Sequence, residues 1–198
     1  MPINLKKGQK IDLTKSEPGL SKVHVGLGWD EVSKPRGFFA SLLGGGQPID
    51  CDASVIMLDN DQYDEMVYFG KLKSLCQSIH HQGDNLTGEG EGDDEVITID
   101  LKTVPQRFNR LVFVVNIYDA KKRGQDFGMI RNAFIRIVNP KTHVELVHFD
   151  LTENYQGFTT LIAGELYRDG SEWKFGAIGE GTKDANLSEI TNRYRRIR

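Results

Sequence analysis

Between Gly83 and Glu95 the chain sets six carboxylates and one amide among glycines: Asp84, Asn85, Glu89, Glu91, Asp93, Asp94 and Glu95. No lysine or arginine occurs between Lys73 and Lys102. Carboxylates this crowded repel one another. Either a cation neutralises them or they stand apart in water as a solvated loop that holds nothing. Hard divalent cations take oxygen ligands, and calcium accepts roughly six to eight of them at flexible angles. If residues 88–95 are extended, Glu89, Glu91, Asp93 and Glu95 point to one side. Gly88, Gly90 and Gly92 leave the backbone free to bend around an ion. The spacing is not that of an EF-hand: with Asp84 first, Leu86 falls at the third position and offers no oxygen, and the sixth is not glycine.

Two further acidic spots stand at the ends of strand-like runs. Asp30 follows Gly26-Leu27-Gly28-Trp29, and Asp50 and Asp52 flank Cys51, on one side of a strand. The loops at one end of a sandwich converge, so three acidic loops can surround one or two ions. Asp119, at the end of another apolar run, can reach the same place from a neighbouring loop.

The elements that must position these residues read as strands. Val23, Val25 and Leu27 alternate with Lys22, His24 and Gly26, and Val96-Ile97-Thr98-Ile99-Asp100 behaves similarly; period two marks strands with one face on a core. Candidate strands are 21–28, 51–58, 66–69, 96–101, 110–118, 133–139, 144–151, 159–167 and 173–178. Leu111-Val112-Phe113-Val114-Val115 is apolar on both faces and predicts a central strand. Asp169-Gly170 signals a hairpin. The pattern predicts an all-β chain folded as a two-sheet β-sandwich, residues 1–181. Residues 182–198 form a basic amphipathic helix or tail. Its apolar face is Leu187, Ile190, Tyr194 and Ile197, with a capping box from Asn186 and Glu189, and docking on its own sandwich is the simplest fate. The long loop from Asp30 to Asp50 carries Phe38, Phe39, Leu42 and Leu43, either a partner surface or packing against the sandwich.

With 38% hydrophobic and 27% charged residues and a net charge of −3, the composition is that of an ordinary globular chain and gives no case for nucleic acid. The first residues have no signal-peptide core and no run of ~20 apolar residues spans a membrane, so a cytoplasmic protein with reduced thiols is expected. Asp126-Phe127-Gly128 copies a kinase tripeptide without the rest of the kinase set. His80 and His81 point to opposite faces of a strand and cannot both hold one metal; one of them with carboxylates is a lesser alternative. His143 and His148 read as surface strand residues. Paired-carboxylate hydrolysis needs an acid kept neutral in an apolar pocket, and these acids sit among glycines and other acids.

Five blocks, in order, resemble the TerD family of tellurite-resistance and stress proteins. They are Pro18–Val23 with Val25–Asp30, Ile49–Ser54, Gly83–Glu95, Asn132–Asn139 and Gly164–Arg168. The loop from Asp30 to Asp50, with its Gly-rich centre, looks like the TerZ branch. The resemblance implies a calcium-binding β-sandwich of the bacterial cytoplasm without established catalysis. It also implies work in a complex with other stress or tellurite-resistance proteins, with indirect membrane association. It carries over as ligands Asp30, Asp50, Asp52, Asp84, Asn85, Glu89, Glu91, Asp93, Asp94 and Glu95, a set better used by two Ca2+ ions than by one. Cys51 replaces the family's leucine between the two aspartates but points away from them. Two other functions stay open: a scaffold whose acidic loop binds basic partners with calcium incidental, and a metal-dependent hydrolase.

Overall fold

Alternating burial organises the chain into two sheets with one core between them. The computed structural model describes residues 2–31, 48–83 and 92–195. In chain order the strands are β1 (Ile3–Asn4), β2 (Lys10–Asp12), β3 (Lys22–Glu31), β4 (Cys51–Asp59), β5 (Gln62–Val67) and β6 (Ile79–His81). They continue as β7 (Glu95–Asp100), β8 (Phe108–Ile117), β9 (Ile130–Asn139), β10 (Val144–Asp150), β11 (Thr160–Asp169) and β12 (Glu172–Thr182), and the short α-helices are α1 (Leu13–Ser16), α2 (Ala120–Arg123) and α3 (Leu187–Asn192). Sheet A has the order β1-β10-β9-β3-β7-β6 and sheet B the order β2-β12-β11-β8-β4-β5. All nine expected runs are strands. The third, 66–69, is β5 and begins earlier than expected, at Gln62, because Asn60 and Asp61 both adopt positive φ and make a two-residue turn. The strands not anticipated, β1, β2 and β6, have two or three residues each, too few to show a period.

Val23, Val25, Leu27, Ile97, Ile99, Ile135 and Ile137 of sheet A meet Ala53, Val55, Met57, Leu111, Phe113, Leu161 and Phe175 of sheet B, all fully buried. β8 is central in its sheet, as its apolar run predicts. Its outward Val112 and Val114 are buried too, because the C-terminal helix lies over them. That helix, α3 (Leu187–Asn192), is capped by the Asn186 side chain, which accepts from the Glu189 N–H at 2.9 Å. Glu189 completes the box one residue early, accepting the Ala185 N–H at 2.8 Å. Leu187, Ile190 and Tyr194 pack on Ile56, Leu58, Val112, Val114 and Ile162, so the tail docks on its own sandwich. Ile197 lies outside the described residues. Among the described residues no helix is long and apolar enough to cross a membrane.

At the end of the sandwich where β12 finishes, the buried Tyr155 hydroxyl donates to the Gly179 carbonyl at 3.2 Å. Burial, with the charge of Glu153, pushes this phenol up to about 12 from 10. A raised folded-state pKa gives stability that is fully present below pH 10 and lost as the pH climbs through about 12. Unfolding measured by circular dichroism across that window is expected to show a loss of stability that Tyr155→Phe largely removes. An equal alkaline loss in the variant would assign it to other groups.

Candidate metal centre

The antiparallel pairing brings the acidic segments to one end. β3 finishes beside the start of β7, with Leu27 opposite Glu95, and beside the start of β9, with Asp30 opposite Arg131. β4 starts beside the end of β8, with Cys51 opposite Ile117. The strand ends next to Asp30, Asp50, Asp52, the 92–95 segment and Asp119 therefore open on the same side.

Within that end the last three acids of the run fan out. Extended alternation would have put Asp93 and Glu95 on one side; the structure corrects this. The segment is not yet a strand at Gly92, whose φ is +123°, and β7 begins only at Glu95. Asp93 lies on the outer face of sheet A, over Gly26, where Arg136 holds both its oxygens, Nε to Oδ1 at 2.7 Å and Nη2 to Oδ2 at 3.1 Å. The Asp94 amide donates to the Leu27 carbonyl at 2.8 Å, and its carboxylate accepts from the Trp29 N–H at 2.7 Å. Glu95 turns inward between the sheets. It accepts from the Ala53 N–H of sheet B at 2.5 Å and lies 3.3 Å from His81 Nε2, with both side chains fully buried.

Electrostatics distinguish these acids. Burial raises the Asp94 carboxyl above the usual carboxylate range; the Trp29 N–H opposes this, and the neighbouring charges of Asp30 and Asp93 add to it. Asp30 accepts from the Asn132 amide at 2.7 Å. Asn132 itself has a φ of +52° at a bulge where β9 inserts an extra residue opposite Gly28 and Asp30. Phe134 and the Gly92 carbonyl close over Gly28, where a Cβ would come within 2.4 Å of the ring and 2.8 Å of the carbonyl oxygen. The two aspartates of the other spot belong to sheet B. Asp50 lies 3.7 Å from Arg123, and Asp52, 3% exposed, is 3.5 Å from the Asn116 amide nitrogen. Cys51 points oppositely, into the core, as expected.

Asp119, with a φ of +53°, starts the short helix α2 (Ala120–Arg123) and faces Lys122 at 3.6 Å. Its turn delivers Arg123, not its own carboxylate, to Asp50. Asp84, Asn85, Glu89 and Glu91, and the apolar Phe38, Phe39, Leu42 and Leu43, lie outside the described residues. Among the described residues no group of three or more His, Cys, Asp or Glu side chains could hold a metal ion. A complete coordination sphere from the expected set therefore needs oxygens from 84–91.

The donors present do suit a hard cation. They are carboxylates and amides, and the Asn116 carbonyl oxygen beside Asp52 is buried with no hydrogen-bond partner among the described residues. Residues that sequence reasoning missed are Arg123 and Arg136; of the two histidines it weighed, His81 is the one that turns inward to a carboxylate, Glu95. A lone arginine on the outer face of a strand gives no sequence signal of its partner. Asp126 of the kinase-like tripeptide caps a 3-10 turn, accepting from the Gly128 N–H at 2.7 Å.

The TerD domain matches residues 1–194. The chain belongs to the TerD family. The stress response protein SCP2 of Bacillus subtilis is 59% identical over 198 residues, covering 98% of this chain and all of that one. The tellurium resistance proteins TerD and TerZ of Serratia marcescens are 40% and 39% identical, over 91% and 95% of this chain and 91% and 94% of theirs. These near-equal identities do not separate the TerD and TerZ branches for this member. A solved homologue of telluride resistance protein (TerD) from Streptomyces coelicolor A3(2) shares the fold, with a TM-score of 0.67 at 21% identity over 89% of this chain and 98% of that one. The family thus includes proteins named for stress response and for tellurium resistance, and this TerD member is all-β.

Proposed function

We propose that the chain is a non-catalytic, calcium-binding stress-response protein whose ions order the loops at one end of the sandwich. The observation that carries this reading is the convergence there of the acidic strand ends, where Asp30 and Asp94 crowd each other's charge. In this reading Asp30 and Asp94 would serve one centre and Asp50 and Asp52 a second, each completed by further oxygens of the acidic run. Calcium would supply the positive charge the clustered acids lack. The ordered end, with Phe38, Phe39, Leu42 and Leu43, would then meet other stress or tellurite-resistance proteins in the cytoplasm, with membrane contact indirect.

Thermal unfolding of chelator-stripped protein tests this, alone and with millimolar calcium or magnesium. A ligand at ~100 times its dissociation constant stabilises by ~2.7 kcal/mol, roughly 5–10 °C for a domain of this size. A calcium shift of that order with little from magnesium is expected; no shift with either ion would remove the calcium reading.

Two acids here already take guanidinium groups, Asp50 from Arg123 and Asp93 from Arg136. That favours, as a second reading, an acidic end that docks basic partners. A partner that survives chelator but leaves in high salt would support it.

A further inference from the structure

We propose, resting on the calcium reading, that Arg136 is the positioning residue of the acidic run and that Asp93 is the run's anchor, not an ion ligand. Arg136 projects from the outer face of β9, and its fork takes both oxygens of Asp93. Its remaining arm reaches Glu145 of β10 at 3.0 Å, so the guanidinium is itself fixed by a second carboxylate. A guanidinium stays charged at every pH the fold tolerates, and its planar fork matches a carboxylate as a lysine cannot.

The place of the anchor is built into a neighbouring strand. A Cβ at Gly26 would lie 2.2–2.3 Å from the three carboxylate atoms of Asp93, so only glycine there lets the acid reach the sheet. One residue later the Asp94 amide joins the Leu27 carbonyl and its carboxylate turns to the Trp29 N–H. The direction in which Asp94 faces Asp30 thus follows from where Asp93 is held. Arg136 acts on the ion from outside the coordination sphere, through Asp93, by fixing the exit of the run.

The alternative gives the opposite sign. If Asp93 ligates the ion, Arg136 competes with calcium for its oxygens, and removing the arginine tightens binding. If Asp93 is the anchor, removing the arginine frees the run and weakens binding, by the 10–100-fold usual for lost outer-shell partners of metal ligands. Calorimetric calcium titration of wild type, Arg136→Gln, Arg136→Lys, Asp93→Asn and the Arg136→Gln/Asp93→Asn double variant decides between them. Expected are a loss of at least about 10-fold for Arg136→Gln and for Asp93→Asn, a double variant no worse than either, and a smaller loss for Arg136→Lys. Gly26→Ala, which displaces Asp93 with the arginine intact, is expected to weaken binding similarly and serves if the charge variants fold poorly. Tighter or unchanged binding in Arg136→Gln overturns the proposal, as does a lost ion in Asp93→Asn alone. Wild type that takes no calcium overturns the calcium reading first and this proposal with it, so the two failures are distinguishable.

Discussion

Glu95→Ala is expected to destabilise the ion-free protein by about 2–4 kcal/mol, a drop in melting temperature of roughly 5–15 °C. Glu95 is 1% exposed, and its carboxylate spans the gap between sheets, from the first residue of β7 to the Ala53 N–H of β4. The Gly83 N–H donates to His81 Nδ1 at 3.2 Å, so the imidazole proton resides on Nε2. That nitrogen faces the Ala53 carbonyl at 3.1 Å and Glu95 at 3.3 Å. Alanine would leave a buried backbone donor and a buried imidazole without this acceptor, and would open a void at the site's floor. Glu95→Gln keeps an oxygen for Ala53 and is expected to retain most of the stability. The pair also separates two roles. As a tie between the sheets, Glu95→Gln leaves calcium affinity within a few-fold of wild type. As an ion ligand, it weakens calcium strongly while the ion-free melting temperature barely moves. Chemical denaturation with chelator, followed by calcium titration of the same samples, reads both quantities.

Much of this architecture is visible in local pattern. The parity of Val23, Val25 and Leu27, and of Ile97 and Ile99, names the inward faces, and the two-faced apolar run 111–115 names the strand that is buried on both. The carboxylates at strand ends follow from the same parity, because antiparallel pairing leaves few places for them to meet. What parity misses is where it breaks. The chain kinks at Gly92–Asp94 before β7 begins, which sends Asp93 outward, Asp94 along the end of β3 and Glu95 inward. An extended reading puts Asp93 and Glu95 together. The bulge at Asn132 is invisible for the same reason: its positive φ depends on pairing with a strand about a hundred residues away in sequence, not on neighbouring residues. The partners Arg123, Arg136 and His81 are tertiary choices. A sequence states that an arginine exists, whereas only the register of β9 against β3 and β10 tells which acid it meets.

The C-terminal helix carries the other large effect. Ile190 is fully buried on the outer face of sheet B, over Ile56, Leu58, Val112 and Val114, which are themselves fully buried, and Ile162, which is 5% exposed. A six-residue helix is too short to persist by itself, so its order comes from this contact and from its cap. The segment is also tied to an edge: the Tyr63 N–H of β5 donates to the Tyr194 carbonyl at 2.8 Å, Arg193 reaches Asp184 at 2.6 Å, and Arg195 lies over the Tyr63 ring. Ile190→Ala is expected to cost about 2–4 kcal/mol, the range for emptying a well-packed aliphatic site. Ile190→Asp should go further, because an unpaired carboxylate cannot stay in that seat and the helix must lift. Deleting the chain from Leu187 onward then strips the cover from five apolar side chains on a flat sheet face, a patch of the kind that drives association. The expected results are a lower melting temperature for both substitutions, in that order, and self-association of the truncated protein on size-exclusion chromatography. A truncated chain that stays monomeric and melts with wild type would show that the sheet face tolerates water and that α3 is an ornament of the fold, not its cover. Calcium titration of the same variants adds a control: the helix sits on sheet B away from Asp30 and Asp94, so affinity at that centre should survive Ile190→Ala even as stability falls.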